Sequence, residues 1–344
     1  MKTEPPFVKG LELNRGFYQD AVKPFLDKYF PELRFSASLL GYGSDVLGMD
    51  TAQSTDHNWG PRMQIFVDDR EAIPLIDERL REELPFEYRG FPVNFSDKSY
   101  DKTQRMEKTN KKPVNHLLEI CRFEDYLKDR YRIDRTNNFS PDDWLAFTDQ
   151  NLIELTHGEV FHDGLEKLNR MREELKFYPP DICKLRMAVL WNYIWNKEAF
   201  AGRAIALDDF IGLKIIAGRL VNYLIKILFY LEGKYIPYSK WFGSAFKKLE
   251  AYEKAHVLAE EVLLENNPKT IEDKLCSFYT FVVDRHNKTE GMPHLNNTIQ
   301  DFFGRPYRVI FAESIVEALR NSISDEGIRN IDMDTYAFDI ILDK

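Results

Sequence analysis

Residues 39–67, LLGYGSDVLGMDTAQSTDHNWGPRMQIFV, constrain the fold more than any other stretch of the chain. An apolar run ends at Gly43-Ser44, a polar turn follows, and Asp56-His57-Asn58 leads into the strand-like MQIFV. Strand side chains alternate between faces, so Asp56 and Asn58 are expected on one face and His57 on the other. Two oxygen-bearing side chains on one strand, beside a glycine-serine turn, point to a site for a metal ion and a nucleotide.

The flanking chain supplies a sheet for such a site. Residues 35–40 read as a buried strand running into the glycine turn. Before them, residues 11–29 have helical spacing at Leu13, Phe17, Val22, Phe25 and Leu26, with Pro24 expected to kink or end the helix. Residues 71–84 form a further helix, with Pro74 tolerated only in its first turn, and 86–95 are extended. Residues 96–113, carrying Lys98, Lys102, Arg105, Lys108, Lys111 and Lys112, read as an exposed loop or hairpin. The run 115–123, NHLLEICRF, is an apolar strand with Glu119 in its middle, where a buried charge is costly unless paired or metal-bound. Ser140-Pro141-Asp142-Asp143 caps a helix running towards Leu155.

From residue 165 the pattern is helical almost to the end, over 165–177, 181–200, 208–231, 241–265, 270–285 and 307–323. The composition shift near residue 160 divides the chain into an α/β domain, 1–160, with a lead-in helix over 1–30, and an all-α domain, 161–344. The fold class is α+β, a mixed sheet followed by a helical bundle.

At 344 residues the chain is long enough for two domains. A formal net charge of −9 argues against extended nucleic-acid binding, which needs clustered cations. Cys121, Cys183 and Cys276 are widely spaced, which suggests reduced, buried thiols and a cytoplasmic setting. The start, MKTEPPFVKG, lacks the apolar core of a signal peptide. The most apolar run, 211–231, holds Lys214, Arg219, Asn222 and Lys226, each costly in a bilayer, so no membrane association is expected.

With the Gly43-Ser44 turn, Asp56 and Asn58 in acid-x-acid positions, and Glu119 as a third acid on a later strand, the chain resembles the DNA polymerase beta-like nucleotidyltransferase superfamily. GSDVLGMDTAQSTDHNWGPR is similar to an uncharacterised bacterial branch of it, as are YPPDICKL, NKEAFAGR, AGRLVNYLIKILFYLEGKYIPYSKWFGSAF and FFGRPYRV. The resemblance implies a nucleotidyltransferase fold followed by a helical domain like that of aminoglycoside nucleotidyltransferases. It implies transfer of a nucleoside monophosphate from a nucleoside triphosphate to a hydroxyl acceptor, dependent on Mg2+ or Mn2+. Gly43 and Ser44 would hold phosphates, and Asp56 and Glu119, assisted by Asn58, would hold the metal.

One departure from the pattern is Asn58, whose amide offers a neutral oxygen where the superfamily has a carboxylate. A nucleotide-binding pseudoenzyme is therefore one alternative; an RNA- or protein-binding module using the lysine-rich loop is another. Arg62 is assigned to a phosphate or an ion pair, Asp45 and Asp50 to capping, and His57 to a structural role. On the acceptor side the resemblance suggests Glu198, Arg203 and Lys240, residues that buried salt bridges between helices would also explain.

Overall fold

The structure, a computed structural model, describes residues 5–336 and divides into two compact units. The first comprises Met1–Asp143 and Asn151–Lys176, the second Trp144–Gln150 and Phe177–Lys344, as far as each is described. The first unit thus runs on past the composition shift at residue 160.

The first unit opens with helices Gly10–Phe17 (α1) and Lys23–Tyr29 (α2), joined without a break by a π turn at Tyr18–Val22. Of the two outcomes expected of Pro24, a kink or an end, the helix does not end there. A proline ring collides with the carbonyl four residues back and cannot donate to it. Within the π turn Lys23 N–H already reaches back five residues to Tyr18, so the widened backbone admits the ring.

Strands Phe35–Leu39 (β1) and Arg62–Val67 (β2), helix Ala72–Glu83 (α3), and the short hairpin Glu87–Tyr88 (β3) with Phe91–Pro92 (β4) follow. Along the chain there follow Leu117–Cys121 (β5), helices Phe123–Tyr131 (α4), Pro141–Ala146 (α5) and Asp149–Thr156 (α6), of which residues 144–150 belong to the second unit, strand Glu159–Asp163 (β6) and helix Leu168–Glu174 (α7). The expected single helix from Pro141 is therefore two. The sheet is ordered β5-β2-β1-β6, with β1 antiparallel to both neighbours and β5 parallel to β2, so it is mixed.

Period-two alternation divides the sheet's residues between two faces. Phe35 and Ala37 of β1, Met63, Ile65 and Val67 of β2, and Leu118 and Ile120 of β5 join Phe17, Val22, Leu26, Ile76 and Leu80 in one apolar core. The opposite face carries Ser36, Ser38, Arg62, Gln64 and Glu119, and α4 covers part of it by packing Phe123 and Tyr126 on Phe66, with ring centroids 4.9 and 5.3 Å apart. One face thus builds the apolar core while the other holds polar groups that are largely buried, Glu119 being the most exposed of them.

The second unit is mainly helical: Pro180–Ala206 (α8), Phe210–Leu231 (α9), Ser239–Phe246 (α10), Tyr252–Leu264 (α11), Pro268–His286 (α12) and Ala312–Asn321 (α13). The span expected as one helix over 241–265 is broken between α10 and α11. The span 307–323 is a helix only in its second half, because Gln300–Phe302 (β7) and Arg305–Val309 (β8) form a hairpin turning at Phe303-Gly304. Both turn residues have positive φ, the backbone twist that two-residue hairpins require. α8 packs along α9 and α13. Arg186 of α8, wholly buried, bonds to Asp149 at 2.8 Å and to the Tyr230 hydroxyl at 3.0 Å. Among the described residues no helix is long and apolar enough to cross a membrane.

Candidate functional site

The polar face of the first unit opens into a cleft of about 620 Å³. Its floor is set by strand register. β5 runs parallel to β2 with Glu119 opposite Gln64, so these two side chains stand side by side on the polar face. One wall comes from α4, where Tyr126 and Arg130 are four residues apart and share a helix face. Arg130 lies 4.8 Å above the Tyr126 ring and places Nη2 at 2.9 Å from both oxygens of Glu119. Desolvation opposes the charge on this guanidinium, but Tyr126, Glu119 and Tyr131 together outweigh it and raise its pKa, so it stays charged.

The opposite wall is the hairpin at 96–105, tied by Ser96 N–H to Arg105 and by Ser99 N–H to Thr103. Asp101 accepts from Ser99 and Thr103 inside the turn, which holds its carboxyl down at about 2. Lys98 and Lys102 line the cleft from this hairpin, and both are exposed. Neither has an ion-pair partner among the described residues. Arg81, bonded to Asp77 at 2.7 Å, and Arg62 complete five cations around the cleft, against the carboxylates of Asp97, Asp101 and Glu119.

His116 closes one end. Its Nδ1 accepts from Leu118 N–H at 3.2 Å, which puts the ring proton on Nε2, 3.5 Å from Asp77 and without a hydrogen bond. Burial pushes its pKa down to about 4, so the ring is neutral near pH 7.

The residues singled out in the sequence are distributed unevenly. Glu119, Asn58 and Arg62 line the cleft; Asp56, Gly43 and Ser44 are not among its lining residues. Asp56 and Asn58 do not share a strand face. Asp56 ends a 3-10 turn at Ala52–Asp56, its side chain 65% exposed and 3.0 Å from Nδ1 of His57, the residue expected to face away from it. Asn58 sits at φ 48°, and its backbone and side chain clamp the hairpin: Asn58 N–H donates to Gln104 O at 2.7 Å, and Gln104 N–H to Asn58 Oδ1 at 2.9 Å. The strand begins only at Arg62, because Gly60, at φ 131°, and Pro61 intervene.

Arg62 takes the ion-pair role. Its Nη2 and Nε meet Asp45 at 2.7 and 3.0 Å, both side chains almost wholly buried, and Nη2 also donates to Tyr42 O at 3.1 Å. Gly43 belongs to this pair, since a β-carbon there would strike both Asp45 Oδ1 and Arg62 Nη2. Asp50 caps the lead helix, accepting from Gly10 N–H at 2.7 Å and from Trp59 Nε1 at 3.1 Å.

In the second unit Glu198 is 2% exposed and makes no salt bridge among the described residues; its oxygens accept from Ile310 and Ala312 N–H at 2.9 and 3.0 Å and cap the start of α13. Burial raises its pKa to about 7. Arg203 and Lys240 are exposed, each over a neighbouring ring, Phe200 at 5.9 Å and Trp241 at 5.1 Å. Cys183 and Cys276 are buried and Cys121 half-buried, all three as free thiols.

Magnesium requires several oxygen ligands, normally including carboxylates. Glu119 is bound on both oxygens by Arg130, Asn58 Oδ1 by Gln104, and Asp56 by His57. Among the described residues no three of His, Cys, Asp and Glu converge where they could hold a metal ion. As arranged, the residues do not fit a caged divalent ion. The cleft residues that the sequence did not single out as a site include Tyr42, Gln64, Arg81, His116, Tyr126 and Arg130. Of these only Arg130 carried a sequence signal, its spacing of four from Tyr126 on a helix that follows directly on the Glu119 strand.

Residues 144–242 match a family described as a domain of unknown function (DUF4037). No curated protein matches the chain. Among solved structures, the chain is similar to a nucleotidyltransferase-like protein from Exiguobacterium sibiricum 255-15, at 12% sequence identity and a TM-score of 0.35, over 81% of this chain and 77% of that one. Nothing about this chain's fold or chemistry follows from a likeness at that score.

Proposed function

We propose that the first unit is a nucleotide-binding module of nucleotidyltransferase type, whose cleft receives the phosphates of a nucleoside triphosphate. The observation that carries this reading is the pair Lys98 and Lys102, exposed on the cleft's hairpin and in no ion pair among the described residues, beside Arg62, Arg81 and Arg130, whose charges Asp45, Asp77 and Glu119 already meet, in a chain of net charge −9. A polyanion entering such a cleft can draw on these two lysines directly, and their attraction acts over about a Debye length. The hydrogen bond between Asn58 and the hairpin that bears the lysines supports the same reading, because it gives Asn58 a task that needs no metal.

Binding without transfer is therefore the function favoured. The reaction implied by the sequence resemblance, passage of a nucleoside monophosphate to a hydroxyl acceptor with magnesium or manganese, would require Glu119 to leave Arg130 and Asp56 to leave His57. Incubation of the full chain with α-labelled triphosphates, either metal and mixed acceptors separates the two. The expected result is saturable binding with no pyrophosphate released. Pyrophosphate release that Asp56→Ala abolishes would overturn the binding-only reading and establish transfer. Equal affinity for single-stranded RNA and triphosphate, lost on neutralising Lys108, Lys111 and Lys112, would instead favour the RNA-binding alternative.

A further inference from the structure

The cleft has an aromatic corner that phosphate binding leaves unused. Tyr42 lines the cleft and is 47% exposed, unusual for a large ring against a polar pocket. Its backbone is nonetheless pinned on both sides. Gly41 N–H donates to Glu154 O at 2.8 Å, and Tyr42 O accepts from Arg62 Nη2 at 3.1 Å. Gly41, at φ 89°, leaves room for the Tyr126 hydroxyl, which a β-carbon would approach to 2.8 Å. The Arg62 guanidinium carbon lies 5.9 Å from the Tyr42 ring centroid and backs it with a cation that Asp45 holds in place. The ring is thus an exposed aromatic surface on a rigid mount.

Beside it stands a polar group without a partner. Leu40 N–H donates to Gln64 Oε1 at 3.0 Å and so fixes the orientation of that amide. Gln64 is 6% exposed and lines the cleft, yet its Nε2 has no hydrogen-bond partner among the described residues. This nitrogen opens on the cleft, so it is free to donate to an acceptor that enters there. Leu40 and Tyr42 are two residues apart, so the donor and the aromatic face border the same corner.

We propose that Tyr42 is the platform on which the base of the bound nucleotide stacks, with Gln64 Nε2 donating to an acceptor atom on the base's edge. This rests on the reading that the cleft takes a nucleoside triphosphate, and it divides the cleft into a base end at Tyr42 and Gln64 and a phosphate end at Lys98 and Lys102. Every base has a π face, so stacking supplies affinity across bases while the Gln64 donor selects for an acceptor.

The test uses calorimetric titration of the full chain with ATP, CTP and inorganic tripolyphosphate. The wild type should bind ATP more tightly than tripolyphosphate. Tyr42→Ala should weaken ATP by roughly ten- to a hundredfold and leave tripolyphosphate within about twofold, and that second binding curve also reports that the variant is folded. Tyr42→Phe should bind as the wild type does, and Gln64→Leu should weaken the nucleotides by about fivefold but not tripolyphosphate. Equal loss for both ligands in Tyr42→Ala, or no loss for either, would overturn the proposal. A wild type that binds tripolyphosphate as tightly as ATP would overturn it while leaving the phosphate cleft intact; one that binds neither would overturn both.

Discussion

Asp45 and Arg62, seventeen residues apart, meet in a two-bonded ion pair that is almost wholly buried, at the root of the turn that presents Tyr42 to the cleft. Removing one member of such a pair leaves the other charge desolvated and uncompensated. Arg62→Met should cost about 3–5 kcal/mol, and Arg62→Lys should recover little of it because lysine cannot reproduce the forked contact. Urea unfolding should place the double variant Asp45→Leu/Arg62→Met above Arg62→Met alone. A double variant less stable than the single one would show that the pair is not the source of the loss.

Asn58 holds the hairpin through a side-chain oxygen, which an aspartate would also supply. Asn58→Asp should therefore keep the fold, with a melting temperature within a few degrees of wild type, and weaken tripolyphosphate binding by adding a negative charge to the cleft. Asn58→Ala loses the bond to Gln104 and places an ordinary side chain at φ 48°, at a cost of about 1–3 kcal/mol. If the aspartate variant is as unstable as the alanine one, the clamp is not what Asn58 provides.

The cations of the cleft differ in how far each is already matched. Lys98→Gln and Lys102→Gln, at exposed positions, should leave stability unchanged and each weaken tripolyphosphate binding by about three- to tenfold at low salt, an effect that fades as salt is added. Glu119→Gln breaks a pair whose members are 35–38% exposed, so the stability loss should stay below about 1 kcal/mol, while Arg130, released from its carboxylate, should tighten anion binding several-fold. Binding isotherms at two salt concentrations check both, and weaker binding by Glu119→Gln would count against the cleft as an anion site.

Glu198 makes stability depend on pH in an unusual direction. Burial raises its pKa from 4.5 to about 7, so the folded chain binds this proton more tightly than the unfolded chain. Its contribution is most favourable below pH 4.5 and is lost as pH rises through 7, by an amount on the order of 2–3 kcal/mol. Comparing wild type with Glu198→Gln between pH 4.5 and 8 should show that slope in the wild type only. Parallel stability curves would remove Glu198 as its origin.

How much of this was legible depends on the range of the forces involved. The strands and most helices follow from local apolar spacing, and β1, β2, α3 and β5 lie where periodicity places them. Asp56 and Asn58 were misread because alternation was extended through Gly60-Pro61, a turn signal that stops the strand at Arg62. The hairpin β7–β8 was hidden because the end of β8 was read into a helix from residue 307 and only the pairing with Gln300–Phe302 shows it to be a strand. The partners of Glu119, Asn58 and Glu198 lie 11, 46 and more than 110 residues away, and no spacing rule reaches that far. Capping by Asp50 and an ion pair at Arg62 follow from residue type alone, whereas their partners, Gly10 and Asp45, are set by the tertiary fold.

The π turn at Tyr18–Val22 has a consequence for how the chain tolerates change in length. A helix rotates by about 100° per residue, so the extra residue in that turn sets the angular phase of everything before it. Gly10 meets Asp50, and the Asn14 side chain receives Arg62 N–H at 2.7 Å, only in that phase. Deleting one residue between 18 and 22 would return the helix to regular winding, bring Pro24 against a carbonyl, and swing Asn14 away from the first residue of β2. The loop that carries Tyr42 and Asp45 is thus indexed to the helix at the head of the chain like a key to its lock, and a single-residue deletion twenty positions upstream should disable the cleft more thoroughly than most substitutions within it.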